Sequence, residues 1–172
     1  MADYKFTTNP GETVARELLV AYLNTGTADA PVWSPVGKRV EDSSAEYDWS
    51  AETKKDIFGS TYGTMKKPII TQSFEPCELD SGDAAQKLIW ELAIVKQDVA
   101  KLSNMDMLIV HLYAGFAERY ASCMIEVTGE GGEGGGNIGM PINVTYGGAR
   151  TIGSATVANG TVTFNAEAEA EG

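Results

Sequence analysis

Hydrophobic and polar positions along this chain follow two periods. "SAEYDWS" (44–50) places Ala45, Tyr47 and Trp49 on one side and Ser44, Glu46, Asp48 and Ser50 on the other. That two-residue alternation predicts a strand with one buried face. "ARELLVAYL" (15–23) and "MDMLIVHLYAG" (105–115) are apolar in both phases, so they predict strands covered on both faces. "VWSPVGKRV" (32–40) predicts a further strand. Pro35 has no amide to donate and Gly37 has no side chain to pack, so an edge or a bulge is expected there. "IITQSFEPCEL" (69–79), "ERYASCMIEVTGE" (118–130) and "MPINVTYGG" (140–148) also read as strands, the last with Ile142, Val144 and Tyr146 on one face. "RTIGSATVANGTVTFNAE" (150–167) predicts a hairpin, because Asn159–Gly160 supplies the two positive φ angles of a type I′ turn.

One stretch, 80–104, has a helical period. Asp83 and Gln86 have capping-box spacing. Ala85, Leu88, Leu92, Val95, Val99 and Leu102 recur at steps of three and four, which predicts one apolar stripe. Ser103–Asn104 ends it. Trp90 lies off the stripe, where it would seal the helix against a neighbouring element or a partner chain. Between strands, "AETKKDIFGSTYGTMKKP" (51–68) reads as a long loop or a strand–loop excursion with Ile57 and Phe58 as an apolar spot. The prediction is an α+β, mainly β fold: six to eight strands in an antiparallel sandwich or barrel, with one flanking helix (about 83–102) of about five turns. A single domain spans 1–172, with a polar N-terminal arm (1–13), the long loop (about 50–68) and an acidic C-terminal tail (165–172).

Composition narrows what such a domain does. The chain has 172 residues, 43% of them hydrophobic, enough for one real core. Its net charge of −11 argues against gripping phosphate backbones or anionic membranes, while leaving room for DNA that slides past without sticking. No basic segment followed by an apolar run opens the chain, and no apolar stretch approaches a membrane span, so neither a secretory signal nor membrane association is expected.

Candidate chemistry is thin. Cys77, Cys123 and His111 lack metal-ligand spacing, so free thiols are expected and no metal. The glycine run 129–139 lacks the Gly-Lys-Ser/Thr ending of a phosphate loop, and Glu130 and Glu133 would repel phosphate. Glu46 and Asp48, about 7 Å apart on one strand face, have a spacing not foreign to glycoside hydrolysis; a solvated polar face is the simpler reading. His111 has no nucleophile motif to serve and reads as a hydrogen-bonded core or interface histidine. Trp33, Trp49, Trp90, Tyr22, Tyr47, Tyr62 and Tyr113 would suit a sugar or base platform. Tyr47 and Trp49, however, share a face with Ala45, as core residues do. Neither enzymatic activity nor a cofactor is expected. Arms and a long loop on a compact sheet suit a self-assembling subunit, in which many modest contacts add.

"LLVAYLNTGT", then "PVWSPVGKRVEDSSAEYDWSAETKKDIFG", then "KKPIITQSFEPCELDSGD", together with "GGNIGMPINVTYGGARTIG" and a final hairpin, resemble the major tail tube protein of long-tailed (siphovirus-like) bacteriophages and prophages. The likeness covers most of 15–165, and its motifs are structural, not catalytic. The resemblance implies two packed antiparallel sheets flanked by a helix, and a virion protein assembled in the host cytoplasm. Homohexameric rings would stack into a tube around a tape-measure protein and meet tail terminator and distal tail proteins at the tube ends. Double-stranded DNA would pass transiently through the lumen. The loop at about 41–67 is then the stacking element. Its inter-ring contacts are Lys54, Lys55, Ile57, Phe58, Lys66 and Lys67, with the lysines offsetting the acidity of an adjacent ring. Glu46 and Asp48 face the lumen if their polar face is the inner one. Alternatives are the inner tube of a contractile tail or tailocin, and a monomeric β-sandwich binding module.

Overall fold

A computed structural model describes residues 4–167. Among them are eleven strands: β1 Leu19–Asn24, β2 Trp33–Val36, β3 Ala45–Asp48, β4 Glu52–Lys55, β5 Thr61–Thr64, β6 Ile69–Phe74, β7 Met105–His111, β8 Phe116–Val127, β9 Ile142–Tyr146, β10 Arg150–Ala158 and β11 Thr161–Ala166. The fold is α+β and mainly β, as expected. The strand count exceeds the expected six to eight: the main sheet alone holds nine, and 52–64 pairs as a separate hairpin, β4–β5. β11 runs through Asn165 and Ala166, two residues into the segment expected as tail; 168–172 lie outside the described residues.

Nine strands form one curled antiparallel sheet ordered β2-β1-β7-β8-β9-β6-β3. The 12-residue β8 is the fork. Its first half pairs with β10 (Ala117↔Gly153 to Tyr120↔Arg150), its second half with β9 (Met124↔Thr145 to Val127↔Ile142). Between the halves the register against β7 slips: Met107 faces Tyr120, but Met105 faces Cys123. An extra residue of this kind bends a strand and raises its local twist. The bend sends β9-β6-β3 one way and the β10–β11 hairpin another.

The doubly apolar strands are explained by this fork. Ala21, Leu23, Met107 and Ile109 pack into the main core with Ile89, Leu92, Phe74, Ile142 and Val144. The opposite phase, Tyr22, Leu108 and Val110, packs into a second cluster with Trp33, Ala117 and Val162. Successive strand side chains point to opposite faces, so a strand lying between two cores must be apolar at every position. The hairpin that supplies Val162 turns at Asn159 (φ 50°) and Gly160 (φ 77°), the expected type I′ geometry.

The helix departs from expectation. Asp83 caps it, accepting from the Gln86 amide at 2.9 Å. Gln86 does not complete the box on Asp83; its Oε1 accepts from the Asp80 amide at 2.7 Å. α1 (Ala84–Trp90) then widens into a π-helical stretch, Glu91–Val95, where the Lys96 amide donates to the Glu91 carbonyl. Gln97 adopts φ 50°, and α2 (Val99–Leu102) begins afresh under an Asp98 cap. One extra residue in a turn rotates everything after it by about 100° relative to a 3.6-residue period. The predicted stripe therefore holds for Ala85, Leu88 and Leu92, with Ile89 also buried, and Leu102 rejoins the core, but Val95 and Val99 face solvent.

Candidate functional site

The long segment 50–66 leaves the body as a hairpin arm. Every residue of β4 and β5 is exposed. Asp56 builds the turn: its Oδ1 accepts from the Phe58 and Ser60 amides, both at 2.9 Å. Its backbone amide donates to the Ser60 carbonyl, and Gly59 takes the left-handed φ of 80°. This hydrogen-bonded tip presents Ile57 at 93% and Phe58 at 86% exposure. Lys54 and Lys55 lie on the outgoing strand, where Lys54 pairs with Glu52 at 3.3 Å. Lys66 and Lys67 lie on the returning segment and are exposed. The arm thus gathers Lys54, Lys55, Ile57 and Phe58, with Lys66 and Lys67 at its root.

Tyr47 and Trp49 correct a sequence expectation. Their phase on the strand holds, but they do not close a buried face; each is 45% exposed, and the rings stack at 6.4 Å. β3 is the last strand of the sheet, so no further strand pairs beyond it. The two rings form one wall of a groove of about 670 Å³, whose lining also includes Lys67, Phe116, Tyr120, Tyr146 and Arg150. Across the sheet floor, Tyr47 registers with Ile70 and Ile70 with Tyr146, and the Tyr146 ring meets Tyr120 at 5.3 Å.

His111 and Glu118 also line this groove, and Glu118 is a carboxylate only 2% exposed. Its Oε1 takes His111 Nε2 at 3.0 Å; its Oε2 accepts from Tyr120 OH at 2.9 Å and Arg150 Nε at 2.6 Å. His111 Nδ1 meets Tyr113 OH at 3.0 Å. Burial alone would raise the Glu118 carboxyl, but the hydrogen bonds from His111 and Arg150 outweigh it and hold the group below its ordinary range. Tyr120 is pushed up by burial and by the adjacent carboxylate. Both imidazole nitrogens of His111, both carboxylate oxygens of Glu118 and the Tyr120 hydroxyl are engaged within this cluster, which braces β7, β8 and β10 together. The sequence reading placed His111 correctly as hydrogen-bonded and overlooked Glu118 and Arg150. The available signal was an acid two residues from Tyr120 in the core phase of an apolar strand.

Glu46 and Asp48 lie on the opposite, solvent-facing side of the same edge. Glu46 pairs with Thr71 and Asp48 with Ile69. With Asp42, Ser73 and Glu75, Glu46 lines a shallow polar cleft of about 330 Å³. The two acids thus share a face but not a pocket with the aromatic wall.

The remaining candidates are structural. Trp33 is buried, with the Arg119 guanidinium over its ring at 5.6 Å while Arg119 is bound at two points by Asp106. Trp90 donates from Nε1 to Glu130 at 2.9 Å, sealing the helix against the 128–141 loop. Cys77 and Cys123 are free and buried, and burial pushes their thiols up to about 11 and about 12. The N-terminal segment lies along the β7–β8 turn: Thr7 donates to the Tyr113 carbonyl at 2.7 Å and Phe6 stacks on Tyr113.

No family model and no curated protein matches the sequence. Solved structures do match in fold. A chain of the sheath/tube terminator of an extracellular contractile injection system, PVC, in the extended state, superposes with a TM-score of 0.51 at 8% identity, covering 84% of this chain and 99% of that one. The tube-terminating cap of the anti-feeding prophage gives 0.49 at 13% identity, over 86% and 95% of the two chains. The sheath–tube complex of the PVC system gives 0.49 at 6% identity, over 84% and 94%. At these identities the likeness is one of fold. That fold, carried over almost the full length of the PVC chain, is one found in an extracellular contractile injection system.

Proposed function

We propose that the protein is a non-enzymatic structural subunit of a phage-tail tube, forming homohexameric rings that stack through the 50–66 arm. The observation that carries this reading is the arm itself. It is an ordered hairpin with no buried residue in its strands, built around a turn whose sole apolar side chains are held out in water. Exposing Ile and Phe on a hydrogen-bonded tip is unfavourable for a monomer and useful for a subunit that covers them on a neighbour. Acidity supports the same role: an acidic or neutral lumen keeps a duplex from adhering within a screening length of about 8–10 Å. In this reading Glu46 and Asp48 face the lumen. Tape-measure, terminator and distal tail proteins are the partners, DNA passes through transiently, and the particle is a virion tail assembled in the host cytoplasm.

Contractile particles are the second reading. The fold match to a chain of a contractile system's sheath/tube terminator favours an inner-tube or tube-end subunit there. Negative-stain microscopy and sedimentation of the purified chain test the common core of both. Rings or tubes are expected, and Ile57→Asp with Phe58→Asp should leave folded, unstacked species. A strict monomer at all concentrations would reject the reading. Tubes that recruit a co-expressed sheath protein would choose the contractile version.

A further inference from the structure

The chain carries an apolar knob at the arm's tip and, elsewhere, a groove with aromatic walls. We propose that the groove walled by Tyr47 and Trp49 receives the Ile57–Phe58 tip of a second copy. This rests on the reading of the chain as a self-assembling subunit and names the surface that the arm meets.

Reach is the first argument. The arm is rooted beside the groove, where the Lys66 amide donates to the Trp49 carbonyl at 3.0 Å. From Ser50 to Ile57 a strand advancing about 3.3 Å per residue carries the tip roughly 20 Å from that root. No residue of 50–66 lines the groove of its own chain. The tip is therefore delivered away from its own seat and toward another molecule's.

Chemistry is the second. The groove sets aromatic rings, those of Tyr47, Trp49, Phe116, Tyr120 and Tyr146, beside a polar lining of Lys67, His111, Glu118 and Arg150, and rings so placed suit an apolar side-chain pair. The polar groups on this floor are already paired with one another: Glu118 with His111, Tyr120 and Arg150, and His111 with Tyr113. An apolar occupant would strand none of them. A sugar needs open donors and acceptors and would find these engaged. Charge agrees as well. In a chain of net −11, the groove carries Lys67, while Arg150 and Glu118, which also line it, neutralise each other at 2.6 Å. The incoming tip carries the acid Asp56, whose Oδ1 serves the turn. Knob and seat are different patches of one chain, so the contact is head-to-tail. It repeats from copy to copy and closes or stacks according to the rotation between them.

The test places the photo-crosslinker p-benzoylphenylalanine at position 58 of the full chain. It mixes 15N-labelled and unlabelled copies, assembles them, irradiates, and maps the mixed-label crosslinked peptides. Crosslinks to 45–49 or 146–150 of another copy are expected. In parallel, Trp49→Glu should lower the assembled fraction at least tenfold at unchanged melting temperature, as Phe58→Glu should. Crosslinks between copies that land elsewhere, with assembly intact, overturn the groove and leave the tube reading standing. Normal assembly of the Trp49→Glu variant does the same. A chain that stays monomeric overturns both.

Discussion

The backbone amide of Lys66 donates to the carbonyl of Trp49 at 3.0 Å, closing the base of an arm that pairs with no other strand of the fold. Fold and arm are thus joined at one clasp. Replacing 52–64 by Gly-Gly should leave the melting temperature within about 3 °C of the parent, since no buried residue is lost and shortening a loop changes its closure entropy by only about 0.6 kcal/mol per halving. The same deletion should abolish rings and stacks. Calorimetry and size-exclusion chromatography read the two effects separately. A large thermal loss would show that the arm belongs to the core.

Charge on the arm leads to a second expectation. Lys54 has one acidic neighbour, Glu52 at 3.3 Å, and both side chains are more than half exposed. Such a pair contributes little to monomer stability. Lys54→Glu with Lys55→Glu should therefore keep the fold and shorten the tubes, because the arm would bring acid to an acidic neighbour. Lowering ionic strength should deepen the defect by lengthening the range of repulsion. Tube length measured by microscopy decides it; unchanged lengths would mean that these lysines merely solvate the arm.

Glu118 leads to a pH expectation with a definite sign. Its folded carboxyl lies below the ordinary glutamate value of about 4.3. A depressed folded pKa adds stability that is fully present above the unfolded value and lost as pH falls through the folded one. Stability should thus hold at neutral pH and decline below about pH 4.3. Glu118→Gln should cost about 2–4 kcal/mol at pH 7, toward the low end for a broken buried pair because Arg150 is half in solvent. It should also flatten the acid limb. Urea unfolding at a series of pH values measures both, and an equally steep acid limb in the variant would assign the loss to other carboxylates.

How far the chain could be read without coordinates depended on what each pattern encodes. Two-residue alternation located β3 and phased Tyr47 and Trp49 correctly, but period says nothing about whether a further layer covers that face. Doubly apolar runs located β1 and β7, since lying between two clusters demands it. Asn159–Gly160 fixed its hairpin because its requirement is local. The helical stripe was legible through Leu92 and again at Leu102, but not between them: a π-helical residue leaves no mark in composition, yet it rotates Val95 and Val99 out of the stripe. The brace around Glu118 was hidden for a different reason. His111, Glu118 and Arg150 meet through the pairing of β7 with β8 and of β8 with β10, and separation along the chain does not announce register.

Gly153 tests that register. It lies on β10 between two strands, registered with Ala117 of β8 and Ala166 of β11. A Cβ there would come within 2.1 Å of the Asn165 carbonyl oxygen and 2.9 Å of the Ala166 Cα. Both obstacles are backbone, so no side-chain rotation relieves them; β11 must move. The movement would lift the end of the hairpin whose Val162 completes the cluster with Tyr22, Trp33 and Val110. Gly153→Ala should therefore destabilise by about 1–3 kcal/mol, the usual range for overpacking. The loss should be local, because β1, β7 and the core under α1 are held by other pairings. Amide exchange should speed up across 161–166 and remain slow in 107–110. A uniform rise over both segments would mean that the hairpin and the main sheet unfold as one unit, and that the fork at β8 carries strain between its two arms.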